Sequence, residues 1–471
     1  MPARKKLTIL YLIDGARPDV MQEMLESGDL PNIHAEVLSR GTFRRASSCF
    51  PTTTGPAYLP FLTGCFPGTL NITGIRWLDK SEFHRRGWSK NKFRSYNGIE
   101  APWFNSDLPQ EHPTLFEIFD RPFNIFSMIT RGLPNGNDLT ARAKPFLYFY
   151  AHLTDKWDPV DRTSHSRLLS ALDQDPEFVF AVFPGVDSYS HLFHPRHDHT
   201  YKAYRYVDFS VGEVVQKLKK QGRWEDTLLI LTSDHGLTAT HTHLDLALFL
   251  QEHGVKTLFY PIIWKRNPRA SVMISGNAFG HVYLLNGQVQ KPAVAGHPKE
   301  VLGGIWDELL AREEVDFLTW REREGIYHIE AARGRANIFR QNGGLVYRPL
   351  AGDPFGLGDL SRPLANRESL EKTFHSDYPD ALVQIDQLLS APRSGDFAVV
   401  SKKGYDLRKA YEWPEHHSSH GSLHREHMIV PLIYNQRGWK EGPVRTADLF
   451  NTILKWSGKP LPEKTDGHSL F

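Results

Sequence analysis

The stretch TLLILTSDHG, residues 227–236, decides the fold. A short apolar run ends abruptly in Ser-Asp-His-Gly. The run is unbroken rather than alternating, which suits a strand buried on both faces of a parallel sheet. Three further runs share the pattern: LTILYLIDG (7–15), FVFAVFPGVD (178–187) and MIVPLIYN (428–435). Helical patterns lie between them, such as YKAYRYVDFSVGEVVQKLKKQG (201–222), where Gly222 is a natural stop. Strand alternating with helix predicts an α/β fold: a parallel-sheet core with helices on both faces. In such sheets ligands collect at the carboxyl ends of the strands. Asp14, Asp187, Asp234 and His235 all stand at those ends.

At 471 residues the chain exceeds the size at which one core stops growing, so insertions or a second domain are expected. The reading places core parts at 1–75, 166–254 and 416–471. Insertions at 76–165 and 255–415 are expected to cap the ligand edge of the sheet. The first is rich in Trp, Arg, Asn and Pro and shows no sustained period, and its aromatic residues fit either a cap core or a pocket lining. The second contains two strand-like runs, ASVMISG and GHVYLLNG, and a helix-like YPDALVQIDQLLS. A formal net charge of +2 argues against a nucleic-acid surface built on bulk electrostatics. Cys49 and Cys65 are the only cysteines, so any metal must be held by His and Asp. The N-terminal apolar run ends in Asp14 rather than a small-residue cleavage site, and no apolar stretch reaches membrane-spanning length, roughly 18 residues. A soluble, cytoplasmic protein is the expectation.

The chemistry-bearing residues are Asp and His spread along the chain. Asp187 and His191 are four apart and share one face if the segment after the strand is helical. Asp234 and His235 are adjacent at a turn, Asp14 closes the first run, and HHSSHGSLHREH (416–427) offers His420 directly before Gly421. Mixed imidazole and carboxylate donors suit zinc or manganese better than magnesium or calcium. Two such ions about 4 Å apart clamp the attacking and leaving oxygens of a phosphoryl transfer. A threonine hydroxyl, poor as a nucleophile alone, is activated by coordination. The stretch CFPTTTGPAYLPFLTGCFPG (49–68) supplies three candidates, Thr52, Thr53 and Thr54. His416, His417, His424 and His427 read as solvated or supporting residues. His241 and His243 either reach the pocket or belong to a helix start.

In order, Asp14, FPTTTGPAYLPFLTG, DSYSH, SDHG, HGSLHREHMIVPLI and TADLFNTILKWSGKPLP resemble the alkaline phosphatase superfamily, and within it the nucleotide pyrophosphatase/phosphodiesterase branch. The resemblance covers residues 7–75, 178–250 and 416–471. It implies that Thr54, between Pro51 and Pro56, is the nucleophile. It further implies two divalent metal ions, zinc or manganese, one on Asp14, Thr54, Asp234 and His235, the other on Asp187, His191 and His420. The implied activity is hydrolysis of a small-molecule phosphodiester or pyrophosphate through a phosphothreonine. Phosphomonoester hydrolysis, phosphoryl transfer and a non-catalytic scaffold are the alternatives. The sequence departs from the family where relatives carry a phosphate-binding Asn after the loop glycine, since Ile75, Arg76 and Trp77 stand there. Asn71, Arg76 and Trp77 are therefore the candidates for substrate contact, and Arg76 in that role would favour a more anionic monoester. CFPTT also follows the sulfatase Cys-x-Pro-x-Arg pattern as far as Pro51 but has Thr53 in place of arginine, so Cys49 reads as a buried small residue.

Overall fold

Leu7–Ile13 is an inner strand of a seven-stranded sheet, paired in parallel with Phe178–Phe183 on one side and Thr227–Thr232 on the other. Every residue of these three strands is buried, as strands covered on both faces must be. The computed structural model describes residues 5–85, 91–285, 297–323, 325–412 and 414–471. The sheet order is Val444–Arg445, Thr42–Ser47, Ile429–Tyr434, Thr227–Thr232, Leu7–Ile13, Phe178–Phe183, Pro122–Ile125. The expected helix spans Asp198–Lys220, with Gly222 in the left-handed region just beyond it. It packs against Asp158–Leu172, which in turn covers Phe178–Phe183.

Two expectations are corrected. Ile429–Tyr434, read as parallel, runs antiparallel to Thr227–Thr232. Its start therefore lies at the edge where its neighbours end, and this is how His420, upstream of the strand, reaches the ligand edge. The segment 76–165, read wholly as an insertion, supplies Pro122–Ile125 as a parallel edge strand of the core. Its helix Asp158–Leu172 is likewise core packing. Parallel strands joined by distant chain leave no local signal of their neighbour, so a four-residue strand here was not legible.

Much of the second segment forms a nine-stranded sheet, mostly antiparallel, running from Thr257–Leu258 to Leu360–Leu364. The two strand-like runs become Ala270–Ser275 and Phe279–Leu284, paired with each other. Residues 286–287 of the second run, like 86–90 of the first insertion, lie outside the described residues. The helix-like stretch becomes Ala381–Ser390, nine of whose ten residues are buried. Two of them hold the threonine-rich loop. Gln384 Oε1 accepts from Phe50 N at 2.9 Å, and Gln387 donates to Phe50 O at 2.6 Å while accepting from Gly68 N at 2.8 Å. A second tie is the fully buried pair Asp380–Arg445, with both carboxylate oxygens engaged at 2.6 and 2.7 Å. Cys49 is buried and free, as expected.

Candidate metal centre and active site

Each functional side chain sits where a strand gives out. Asp14 follows Leu7–Ile13, and Gly15 beside it has φ +71°. A Cβ on Gly15 would lie 2.8 Å from Asp187 Cβ, so glycine lets the two strand ends approach. After Phe178–Phe183 the chain turns into the helix Gly185–Leu192, which carries Asp187 and His191 on one face, His191 Nε2 3.4 Å from Asp187 Oδ1. Asp234 and His235 follow Thr227–Thr232. Thr54 opens the turn before Pro56–Tyr58, with Oγ1 3.0 Å from His235 Nε2 and 3.3 Å from Asp14 Oδ1.

The three imidazoles are oriented by their other ring nitrogen. His191 Nδ1 meets Ser418 O at 2.7 Å, His420 Nδ1 meets Thr52 O at 2.7 Å, and His235 Nδ1 meets Gly236 O at 3.2 Å. Each contact leaves Nε2 free to face the site, the arrangement a ligating histidine needs. The His235 and His420 rings stack with centroids 3.7 Å apart. Burial holds both imidazoles below their ordinary pKa, so they are neutral donors. Asp14 is pushed well above the usual carboxylate range by burial, then by the charges of Asp234 and Asp187. Asp187 and Asp234 are raised too, burial again first.

Atoms of Asp14, Asp234 and His235 converge within 4.8 Å of one another, as do atoms of Asp187, His235 and His420. Buried Asp187 Oδ1 and Asp234 Oδ2 have no hydrogen-bond donor. Crowded, dehydrated carboxylates with orphaned oxygens beside neutral imidazoles fit divalent cations. The structure thus brings together Asp14, Thr54, Asp187, Asp234, His235 and His420, whereas His191, expected on the second ion, is in neither convergent group and reaches Asp187 Oδ1 at 3.4 Å. His235 falls in both convergent groups rather than one, because its ring lies between Asp234 and His420.

The three candidates for substrate contact are each engaged by other groups of the chain. Asn71, at φ +57°, uses its side chain to accept from Arg393 N at 2.9 Å. Trp77 is wholly buried, donates to Tyr96 and lies under Arg393 at 4.0 Å. Arg76 is buried against Ile274 O, in a small pocket lined also by Tyr260, Val272 and Arg408. Burial lowers its pKa to about 9. Arg76–Leu78 pairs with Phe93–Ser95, and the guanidinium of Arg76 donates to Ile274 O.

Sequence reasoning missed Tyr58, whose hydroxyl donates to Asp14 Oδ2 at 3.0 Å. Its only signal was its place four residues after Thr54, one turn along. It also left His416 in a supporting group, and here its ring stands 4.3 Å from that of His191. His427, in the same group, is buried and bonded to Ser422 Oγ and Thr238 Oγ1. The TATHTHLDL segment forms short strands through His243, and its helix starts only at Leu246, capped by Asp245.

The type I phosphodiesterase/nucleotide pyrophosphatase family model matches residues 8–423. The chain belongs to this family. Family relatives include human GPI ethanolamine phosphate transferase 1, 22% identical over 302 residues, covering 60% of this chain and 28% of the relative. Bovine bis(5'-adenosyl)-triphosphatase ENPP4 is 21% identical over 231 residues, 49% of this chain and 47% of the relative. The chain thus spans less than half the length of these curated relatives. Among solved structures, murine ectonucleotide pyrophosphatase/phosphodiesterase 5 superposes with a TM-score of 0.60 at 13% identity, covering 98% of each chain. Phosphonoacetate hydrolase from Sinorhizobium meliloti 1021, in complex with phosphonoacetate, gives 0.57 at 16% identity and 96% of each. The fold is that of the alkaline phosphatase superfamily, and the family is one of phosphoester-acting enzymes. No described helix is long and apolar enough to cross a membrane.

Proposed function

We propose that the chain is a metal-dependent phosphoester hydrolase of the phosphodiesterase or pyrophosphatase type, acting through a phosphothreonine. The observation that carries this reading is the position of Thr54 Oγ1, 3.0 Å from His235 Nε2 and 3.3 Å from Asp14 Oδ1. Asp14, Thr54, Asp234 and His235 would hold one cation and Asp187, His191 and His420 a second, zinc or manganese. Such ions supply neutralisation of phosphate charge and a more acidic threonine hydroxyl. Thr54 Oγ1 loses its proton toward Asp14 and forms a bond to phosphorus as the bond to the leaving oxygen breaks. Tyr58 keeps Asp14 oriented through this step. The leaving oxygen takes a proton from solvent; water then cleaves the phosphothreonine, Asp14 returning its proton to Thr54 Oγ1 and the water's proton passing to solvent, which releases the phosphorylated product.

A second reading, transfer to an acceptor other than water, draws on the transferase relatives. Both share the threonine step. The test is hydrolysis of bis-p-nitrophenyl phosphate against p-nitrophenyl phosphate, with zinc or manganese, before and after chelation. A chelator-sensitive preference for the diester is expected. Thr54→Ala should lower turnover at least about a thousandfold, with the cation content retained. Full activity in Thr54→Ala would remove the covalent route. Product carrying an added alcohol in place of water would favour the transferase.

A further inference from the structure

The geometry points to a further divalent-cation site, distinct from the centre above, at His243, Asp406 and Glu412. The short strands Thr242–His243 and Tyr405–Asp406 pair in parallel with Asp406 opposite His243, so the backbone itself sets the two side chains together. His243 Nδ1 lies 2.8 Å from Asp406 Oδ1. One donor atom from each of the three residues lies within 4.8 Å of the others. The carboxyl of Asp406 is wholly buried, and its Oδ2 has no hydrogen-bond partner. The side chain of Glu412 is 5% exposed and contacts Asn277 Nδ2 and, at 3.2 Å, His416 Nδ1.

An imidazolium paired to Asp406 Oδ1 would leave Oδ2 orphaned and Glu412 beside a second buried carboxylate. Neither is expected of a finished hydrogen-bond network, because an unsatisfied buried charge costs more than the bond it lacks. A cation reached by one oxygen of each acid and one nitrogen of His243 removes both defects. One imidazole with two carboxylates suits zinc or manganese, with the remaining positions open to water. The place of the site gives it a role. Glu412 contacts His416, and His416 packs on His191, so an ion here would brace the His191 side of the catalytic centre.

This inference does not rest on the catalytic reading, and the experiment separates the two. Cations per chain are counted by elemental analysis after loading with zinc, in the wild type, Asp406→Ala, Glu412→Gln, Asp234→Asn and Asp234→Asn/Asp406→Ala. The expected result is one ion fewer in Asp406→Ala and in Glu412→Gln than in the wild type, and the same difference in the Asp234→Asn background. Equal counts with and without Asp406 and Glu412 would overturn the site and leave a plain imidazolium–carboxylate pair. Unchanged counts in Asp234→Asn alone would instead count against the catalytic centre. Thermal melts show whether each variant is folded. Glu412→Gln, at the less enclosed position, keeps the test open if Asp406→Ala is not.

Discussion

At the scale of single residues, Asp161 is informative because it sits behind the site without touching its ligands. It is fully enclosed, accepts from Gly185 N at 3.1 Å, and burial raises its pKa to about 8 despite that bond. A carboxyl whose folded pKa exceeds its unfolded value binds its proton more tightly in the native state. Its contribution is complete below about pH 4, the unfolded value, and is lost as pH rises to about 8. Stability should therefore fall across that window, by at most about 1.4 kcal/mol per pH unit from this group. Asp161→Asn should flatten the decline, which thermal melts from pH 5 to 8 will measure. The candidate ligands were legible because each stands where an unbroken apolar run stops, a boundary that sequence marks. Tyr58 was not, because its role depends on a turn folding its hydroxyl back onto Asp14, and tyrosine in an apolar stretch reads as core.

Between elements, the second sheet closes on the candidate site at Gly276. This residue has φ +64°, follows the strand Ala270–Ser275, and a Cβ there would fall 2.6 Å from His420 Nδ1. Gly276→Ala should cost about 1–3 kcal/mol of strain and displace His420. The expected result is a lower melting temperature together with weaker cation retention, the second read by dialysis against a graded chelator. An intact cation content in a destabilised variant would mean that the strand yields and the histidine does not. The runs ASVMISG and GHVYLLNG showed in sequence that strands existed here. The pairing of Phe279–Leu284 with Phe397–Ser401, and the crossing of Asn277 to His420, were hidden, since a neighbour so far along the chain leaves no periodicity. The helix Ala381–Ser390 was visible for the same reason that its function was not. Its pattern announces a buried helix, whereas Gln384 and Gln387 within it announce only polarity until the loop they hold is in place.

For the whole molecule, the second sheet is a partner in the site and not merely a lid. Arg445→Met would leave Asp380 buried and unpaired, a change that costs about 3–5 kcal/mol. Denaturant melts should show this loss, and Asp380→Asn combined with Arg445→Met should recover part of it. An unchanged melt in Arg445→Met would mean that the pair is dispensable to the joint. The α/β class was readable from four apolar runs, but strand direction and membership were not: Ile429–Tyr434 needed its antiparallel neighbour, and Pro122–Ile125 needed the edge it completes. The candidate ligands run from Asp14 to His420, and the loop bearing Thr54 is fastened by residues beyond 380. During synthesis, then, a growing chain exposes nucleophile and early carboxylates long before their last partners leave the ribosome. On the proposed reading the centre closes only once His420 has emerged, so a chain stopped short of that residue carries a nucleophile it cannot use.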